Sequence, residues 1–148
     1  MSRAKILRIH DELAESQDAL KNRRPLYFSS RLPSHQQWRL FGEFRDRTAY
    51  IDIETTGMRC GFNKITTIAL YDGTDIRYYV NGYNLESFIG DIARYDLLVT
   101  YNGKSFDLPF IEQFFGIRLD HGHLDLRHVL KSLGYRGGLK SCEKQFGL

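Results

Sequence analysis

Cysteine, proline and long apolar runs are all scarce in this chain of 148 residues. The two cysteines, Cys60 and Cys142, lie far apart and form no C-x-x-C pair, so the sequence predicts neither a zinc knuckle nor a disulfide scaffold. No apolar run approaches the roughly 20 residues that a membrane-spanning helix needs. The first residues are basic, but acidic residues follow soon after them, which is not typical of a signal peptide. We therefore expect a cytoplasmic protein with reduced thiols and no membrane partner.

Charge is distributed unevenly along the chain, although the formal net charge is only +3. Residues 1–47 contain ten Lys or Arg and six Asp or Glu, whereas residues 48–148 contain eleven and twelve. A basic segment ahead of an acidic region is compatible with phosphate binding beside a metal site. A solvated, exposed segment has the same composition, so charge alone leaves both interpretations open.

The chain length suits one compact domain with an N-terminal extension. Residues 1–47 form this extension, which we call the N-terminal arm, and residues 48–148 form the main domain. In the arm, apolar residues spaced among charges predict a helix over residues 4–22 that ends before Pro25. Residues 25–47 are expected to be extended, with one short turn.

The main domain shows three strand patterns, a helix, a further strand and more helices. Two β-branched runs, residues 65–71 and 76–80, flank Asp72-Gly73 and predict a hairpin. Residues 97–101 form a short apolar run, typical of a strand covered on both faces. The whole pattern predicts an α/β fold with a mixed sheet, in which three antiparallel strands are joined by parallel strands and flanked by helices. Four helices are predicted in this domain, at residues 84–94, 105–116, 126–133 and 139–146. In the first of them, Asn84 is the expected N-cap, and the expected buried face consists of Leu85, Phe88, Ile89 and Ile92.

Two carboxylates one residue apart, Asp52 and Glu54, are the most informative feature of the sequence. Successive side chains of a strand alternate between its faces, so these acids point one way while Ile51 and Ile53 point into the core. Their Cα atoms would be roughly 6.6 Å apart, at about 3.3 Å per residue. Like charges this close disfavour ionisation unless a cation lies between them. The pair predicts a divalent-metal site, and the alternative is an amphipathic strand with a solvated acidic face.

A third acid, Asp107, follows the predicted buried strand and begins the next helix. Ligands of α/β proteins usually bind outside the carboxyl ends of parallel strands. If the strand over residues 97–101 lies beside the one that ends at Glu54, Asp107 faces the same crevice as the first pair. Three carboxylates there suit a hard cation that completes its shell with water and substrate phosphate. The alternative role of Asp107 is to stabilise the start of its helix.

These acids lie in two longer segments, Asp-Ile-Glu-Thr-Thr-Gly at residues 52–57 and Tyr-Asn-Gly-Lys-Ser-Phe-Asp at residues 101–107. In this order and spacing, the segments resemble the first two motifs of the DEDD superfamily of 3′–5′ exonucleases, which has a DnaQ-like, ribonuclease H-like fold. The residues of both motifs are most similar to those of the branch of predicted exonucleases and ribonuclease H-like domains. Residues 124–127 and 138–144 fit that branch as well, and the resemblance covers residues 49–148.

The resemblance implies a two-metal phosphodiesterase in which Asp52, Glu54 and Asp107 are the catalytic and metal-binding residues. Asp52 would bridge two ions, Mg²⁺ or Mn²⁺, while Glu54 and Asp107 would each complete one. Bound water would be the nucleophile, because the ions lower its pKa and neutralise charge on the phosphate. The residues expected to bind substrate are Thr55, Thr56, Gly57, Met58, Asn102 and Lys104.

The fourth acid of the family, an Asp on a final helix, has no counterpart in this sequence. Glu143 is the only acid near the C-terminal end. Asp125 is an additional candidate ligand, although the family places this Asp at a strand end in a supporting role. His121, His123 and His128 do not match a general base of the family, and we expect them on the solvated surface. The main domain is therefore expected to lack its last helix or to be a degenerate member with weakened turnover.

Three functions are compatible with these features. The first is an exonuclease that acts on DNA or RNA ends. The second is a catalytically silent module that binds nucleic acid or a protein partner, with residues 1–47 as a contact arm. The third is an endonuclease, because the fold does not fix the reaction.

Overall fold

The computed structural model of the protein describes residues 2–148. Within these residues it contains a five-stranded sheet and seven α-helices, none of which has the length and hydropathy of a transmembrane span. The strands are β1 (Thr48–Thr55), β2 (Ile65–Tyr71), β3 (Ile76–Val80), β4 (Leu97–Thr100) and β5 (Gly122–Asp125). The helices are α1 (Arg3–Lys21), α2 (Pro25–Ser29), α3 (Phe41–Phe44), α4 (Ser87–Ile92), α5 (Asp107–Phe115), α6 (Leu126–Ser132) and α7 (Leu139–Phe146), with 3₁₀ helices at Ser34–Leu40 and Arg45–Arg47.

The strands are ordered β3-β2-β1-β4-β5 across the sheet. The first three, β3, β2 and β1, are antiparallel neighbours, whereas β4 and β5 run parallel to β1. This topology confirms the predicted mixed α/β sheet and its hairpin. The sequence pattern does not predict β5, because this strand has only four residues and all of them are buried, so it shows no alternation.

The larger core lies on one face of the sheet. Alternation along β1 sends Ala49, Ile51 and Ile53 to this face, where they pack with residues of β2, α4 and α5. Phe88 of α4 and Phe110 of α5 are buried there. Burying a side chain of this size contributes about 1.5–3 kcal/mol, so hydrophobic contact holds both helices on the sheet.

Residues 25–47 cover one end of the opposite face. Leu40 and Phe44 of this segment are buried against β4 and β5. The sequence predicts an extended segment here, but the structure has two short α-helices and two 3₁₀ helices. Pro25 is the first residue of α2, a position where the missing N–H of proline costs nothing. The short helical turns bring apolar side chains to one side, from which they pack on the sheet.

The start of α4 also differs from the prediction. Asn84 does not cap the helix, because its side chain accepts a hydrogen bond from the Val80 N–H at 2.7 Å and so fastens the end of β3. The helix begins later, at Ser87, and Ile89 is 37% exposed rather than buried. The other residues of the predicted core face are buried, namely Leu85, Phe88 and Ile92.

Candidate active site

The acidic pair of β1 lies on the open part of the second sheet face. Tyr50 packs at the edge of the core that residues 25–47 cover. Alternation along β1 places Asp52 and Glu54 on the same face, further toward the carboxyl end of the strand. Both acids are exposed, so they are accessible to an ion or a substrate.

Asp107 lies in the gap that opens between β1 and β4. These two strands pair only over residues 48–50 of β1, so the rest of β1 has no neighbouring strand on that side. Asp107 is the first residue of α5, and its Oδ1 accepts a hydrogen bond from the Ile53 N–H at 3.3 Å. The bond fixes the helix acid beside the strand segment that carries Asp52 and Glu54.

The carboxylates of the site repel one another. Burial raises the pKa of Asp107 to about 6, and the negative charge of Asp52 adds to this shift. The pKa of Asp52 is raised as well: although the side chain is exposed, surrounding protein atoms remove part of its hydration, and the Glu54 carboxylate is the second cause. The Ile53 N–H opposes the shift of both acids. A cation among these groups would relieve the repulsion.

The donor set suits a hard divalent cation. All three acids offer carboxylate oxygens, which Mg²⁺ and Mn²⁺ prefer as ligands. Among residues 2–148, no three His, Cys, Asp or Glu side chains are arranged around a single ion position. Mg²⁺ takes only one or two protein carboxylates and keeps several waters. Asp52 and Asp107, whose charges interact, would be the carboxylates available to such an ion without a complete protein cage.

We expect the contribution of Asp107 to the stability of the metal-free protein to fall as the pH rises from 3.8 to about 6, because the pKa of Asp107 rises between these values on folding. The folded state then binds the proton more tightly than the unfolded state. The resulting contribution to stability is complete below the unfolded pKa and disappears as the pH rises through the folded pKa. His123 acts in the opposite direction over much of this range, because its pKa falls to about 4 on folding. The change is therefore measured as the difference between the wild type and Asp107→Asn in thermal unfolding in EDTA. The stability of Asp107→Asn relative to the wild type should rise across this range, and a constant difference between the two proteins would contradict the assignment.

Asp125 holds the loop that joins β4 to α5. Its side chain is 0% exposed, and its oxygens accept hydrogen bonds from the N–H groups of Asn102 at 2.8 Å, Lys104 at 3.1 Å and Arg127 at 3.0 Å. The last of these bonds caps α6. This is a supporting role at a strand end, as the resemblance implies. A role for Asp125 as an additional metal ligand stays a prediction, which this geometry does not favour.

Asn102 and Gly103 give this loop its shape. Asn102 has a φ of 67°, in the left-handed region that Asn tolerates better than most residues. Its side-chain oxygen accepts hydrogen bonds from Ser105 Oγ at 3.0 Å and from the Arg127 guanidinium. A Cβ at Gly103 would overlap the side chain of Thr100, so glycine is required there. The two residues together set the path of the chain toward α5.

Two of the three histidines are not on the solvated surface, contrary to the prediction. His123 is buried in β5, with Nε2 2.9 Å from Thr100 Oγ1. Burial lowers the pKa of His123 to about 4, so its ring is neutral at physiological pH. His121 is partly buried, with Nε2 3.0 Å from the Ile92 carbonyl, whereas His128 is exposed. The error follows from the missed strand β5, which carries His123 into the core.

The turn after β1 contains four of the predicted substrate-binding residues. Thr55 ends the strand, and its hydroxyl donates to the Gly57 carbonyl at 2.8 Å. The Thr56 hydroxyl accepts from the Lys64 N–H at 3.0 Å, which fastens the turn to the start of β2. Met58 is 80% exposed. The turn therefore presents Met58 to solvent on a fixed backbone next to Glu54.

Lys104, a further predicted substrate-binding residue, contacts the N-terminal arm. Its Nζ donates to Ser34 Oγ at 2.8 Å, while its backbone N–H is bound to Asp125. A neutral hydroxyl does not compensate the ammonium charge. Phosphate contacts by Lys104 and by Asn102 stay predictions.

Known proteins share this architecture. The family model of the RNase_H superfamily matches residues 49–148, while no curated protein sequence matches the chain. Among solved structures, NrnC of Brucella melitensis is 17% identical with a TM-score of 0.52, and the match covers 73% of this chain and 56% of NrnC. RNase D of Escherichia coli, an exoribonuclease, is 22% identical with a TM-score of 0.54, and the match covers 76% of this chain and 31% of RNase D.

A family B DNA polymerase of Pyrobaculum calidifontis is similar as well. It is 17% identical with a TM-score of 0.50, and the match covers 68% of this chain and 18% of the polymerase. The chain thus spans from 18% to 56% of the length of these three proteins. At such low identities the likeness shows a shared fold, the DnaQ-like ribonuclease H fold. Because the family match extends over about two thirds of its length, the chain belongs to the RNase H superfamily.

Proposed function

We propose that the protein is a metal-dependent 3′–5′ exonuclease that hydrolyses phosphodiester bonds at DNA or RNA ends by a two-metal mechanism. The observation that carries the proposal is the hydrogen bond from the Ile53 N–H to Asp107, which puts the helix acid beside Asp52 and Glu54. The family match and the fold support a nuclease. Asp52 and Glu54 are exposed, so a strand end would be able to reach them.

Asp52, Glu54 and Asp107 would hold Mg²⁺ or Mn²⁺ through carboxylate oxygens. Ions bound there would activate water and neutralise the charge that develops on the scissile phosphate and the leaving oxygen. The chain itself keeps the acids in position, because β1 fixes the first two on one face and the Ile53 N–H orients Asp107. Ion binding requires an ionised Asp107, so the raised pKa of this group makes binding weaker below about pH 6.

The substrate end would contact the residues around this centre. The turn from Thr55 to Met58 would contact the terminal nucleotide, with the exposed Met58 against a base. Asn102 and Lys104 would contact phosphates. Structures of NrnC contain Mg²⁺ in one case and pGG in another, which supports a nucleic-acid substrate and a divalent ion for this chain too.

End-labelled single strands of DNA and RNA test the proposal. With Mg²⁺ or Mn²⁺, strands labelled at the 5′ end should shorten stepwise, while a 3′ label should leave at once as a mononucleotide. EDTA should stop both reactions, and a circular strand should stay intact. Cleavage of the circle would indicate an endonuclease instead, and the absence of metal-dependent cleavage of every substrate would overturn the proposal.

A catalytically silent nucleic-acid-binding module is the second candidate. One observation favours it: no three carboxylates surround one ion position within residues 2–148. Strand binding that weakens with salt, without any metal-dependent cleavage, would support this candidate over the exonuclease.

A further inference from the structure

A basic groove lies beside the loop that leads from β4 to α5. Its volume is about 560 Å³, within the range of about 300–1,000 Å³ that is usual for ligand sites. Among the described residues, no acid lines it. Its lining side chains are three cations, two tyrosines and an amide, namely Arg127, Lys131, Arg136, Tyr101, Tyr135 and Asn102.

The cations of the groove are not neutralised. Within residues 2–148, none of the three forms an ion pair. Arg127 donates to the neutral side-chain oxygen of Asn102, so it keeps its full charge. Residues 126–148 contain five Lys or Arg and one acid, whereas residues 48–125 contain six and eleven. Positive charge is therefore concentrated in residues 126–148, which follow the more acidic residues 48–125 along the chain.

Two contacts hold the walls of the groove in place. The Tyr101 hydroxyl donates to the Gly137 carbonyl at 2.7 Å, which ties the end of β4 to the loop between α6 and α7. The ring of Tyr135 packs on Phe146 of α7, with centroids 4.4 Å apart. The backbone that carries the cationic and aromatic groups is thus held in place, which lowers the entropic cost of ordering the groove when a ligand binds.

The groove adjoins the proposed active site. Asn102 lines the groove and begins the loop that ends at Asp107. Arg127 follows β5, whose carboxyl end lies at the same sheet edge as that of β4. Cations and aromatic rings along one groove are the features that bind the phosphates and bases of a single strand.

From these observations we infer that the groove binds the backbone of single-stranded nucleic acid upstream of the nucleotide that is cleaved. Arg127, Lys131 and Arg136 contact phosphates, and Tyr135 provides a surface for a base. The inference rests on the proposed exonuclease function. It adds a preference for strands that are long enough to reach from Asp52, Glu54 and Asp107 into the groove.

Strand binding in EDTA tests this inference. Fluorescence anisotropy would compare a single strand of about twelve nucleotides with one of about three, as DNA and as RNA, because groove sites of this type span about 4–16 nucleotides. Lys131→Ala/Arg136→Ala should weaken binding of the longer strand about tenfold. The slope of log K against log salt should fall by about 1.4, because each lost phosphate contact accounts for about 0.7 in a single strand. Binding of the shorter strand should change little.

Arg45→Ala/Arg118→Ala is the matched control. It removes the same charge from the opposite edge of the sheet, since these residues precede β1 and β5. This control should keep the affinity of the wild type within about twofold, as expected for charges outside the binding surface. Equal losses in both double variants, or none in the groove variant, would overturn the inference. Displacement of the strand by polyglutamate as readily as by unlabelled strand would also overturn it.

The binding experiment contains no metal, so it reports on the groove even if the protein cleaves nothing. Weaker binding by the groove variant together with an inert wild type would overturn the exonuclease and support the groove. Cleavage by the wild type together with unchanged binding by the groove variant would support the exonuclease and overturn the inference about the groove. Thermal unfolding of each variant checks that the exposed substitutions leave the fold intact.

Discussion

Metal-dependent cleavage should fall at least about a hundredfold when Asp52 is replaced by asparagine, because a bound ion supplies several kcal/mol of charge stabilisation and about 1.4 kcal/mol equals a factor of ten in rate. Asparagine keeps the size and the strand position of the side chain but removes the negative charge that would hold the ion. The rate is measured on end-labelled single strands at saturating Mg²⁺. The variant should stay folded, since its parent side chain is exposed and repelled by Glu54.

Asp107→Asn should cause the same loss of cleavage with an additional signature. Because burial and Asp52 disfavour the ionised form of Asp107, its neutral replacement should raise the melting temperature of the metal-free protein at neutral pH. An inactive variant that is more stable than the wild type distinguishes a functional acid from a structural one.

Asp120→Asn is the control for both substitutions. Asp120 is exposed, forms only a 3.9 Å ion pair with Arg118, and precedes β5 at the opposite edge of the sheet. Its replacement should leave cleavage and stability unchanged. Full activity in both the Asp52 and the Asp107 variant would reject the proposed site.

Asp125→Ala is expected to lower the free energy of unfolding by about 3–5 kcal/mol, because it removes a buried hydrogen-bond acceptor. Each hydrogen bond to a charged group contributes about 1.5–3 kcal/mol. Water that enters the site would replace part of this loss. The lost partners are the N–H groups of Asn102, Lys104 and Arg127. Urea unfolding measures the change. Cleavage should fall as well, since the loop that leads to Asp107 loses its support.

Asp125→Asn is the conservative comparison. The amide has one acceptor oxygen instead of two, so the variant should lie between alanine and the wild type in stability. Asp75→Ala, at an exposed position between β2 and β3, should leave stability unchanged. If Asp125→Ala unfolded like the wild type but lost Mn²⁺ binding in calorimetry, Asp125 would be a metal ligand and its supporting role would be wrong.

The sheet and the acidic strand could be predicted because their signals are local. Alternation in β1 separates Asp52 and Glu54 from Ile51 and Ile53 within a few residues, and Asp72-Gly73 marks the hairpin. Likewise, Gly116 ends α5 in a left-handed conformation, as helix-terminating glycines often do. Such features depend on neighbours along the chain, so a single sequence is sufficient to find them.

The remaining features depend on contacts between distant parts of the chain. Residues 25–47 form helical turns because Leu40 and Phe44 pack on β4 and β5, which lie far along the sequence. His123 is buried because β5 pairs with β4, and no residue near it signals this burial. The role of Asp125 as a loop support also depends on donors that the fold alone brings to it, although an Asp before a helix start is the local signal that could have suggested its cap.

The anchoring of the β4–α5 connection at several points has an evolutionary consequence. Surface connections normally tolerate insertions and deletions, but here the amides of Asn102 and Lys104 are bound to Asp125 and the far end is bound to the Ile53 N–H. An added or deleted residue would shift the Asp107 carboxylate relative to β1. Related chains that retain this chemistry should therefore vary the connection in residue type while conserving its number of residues.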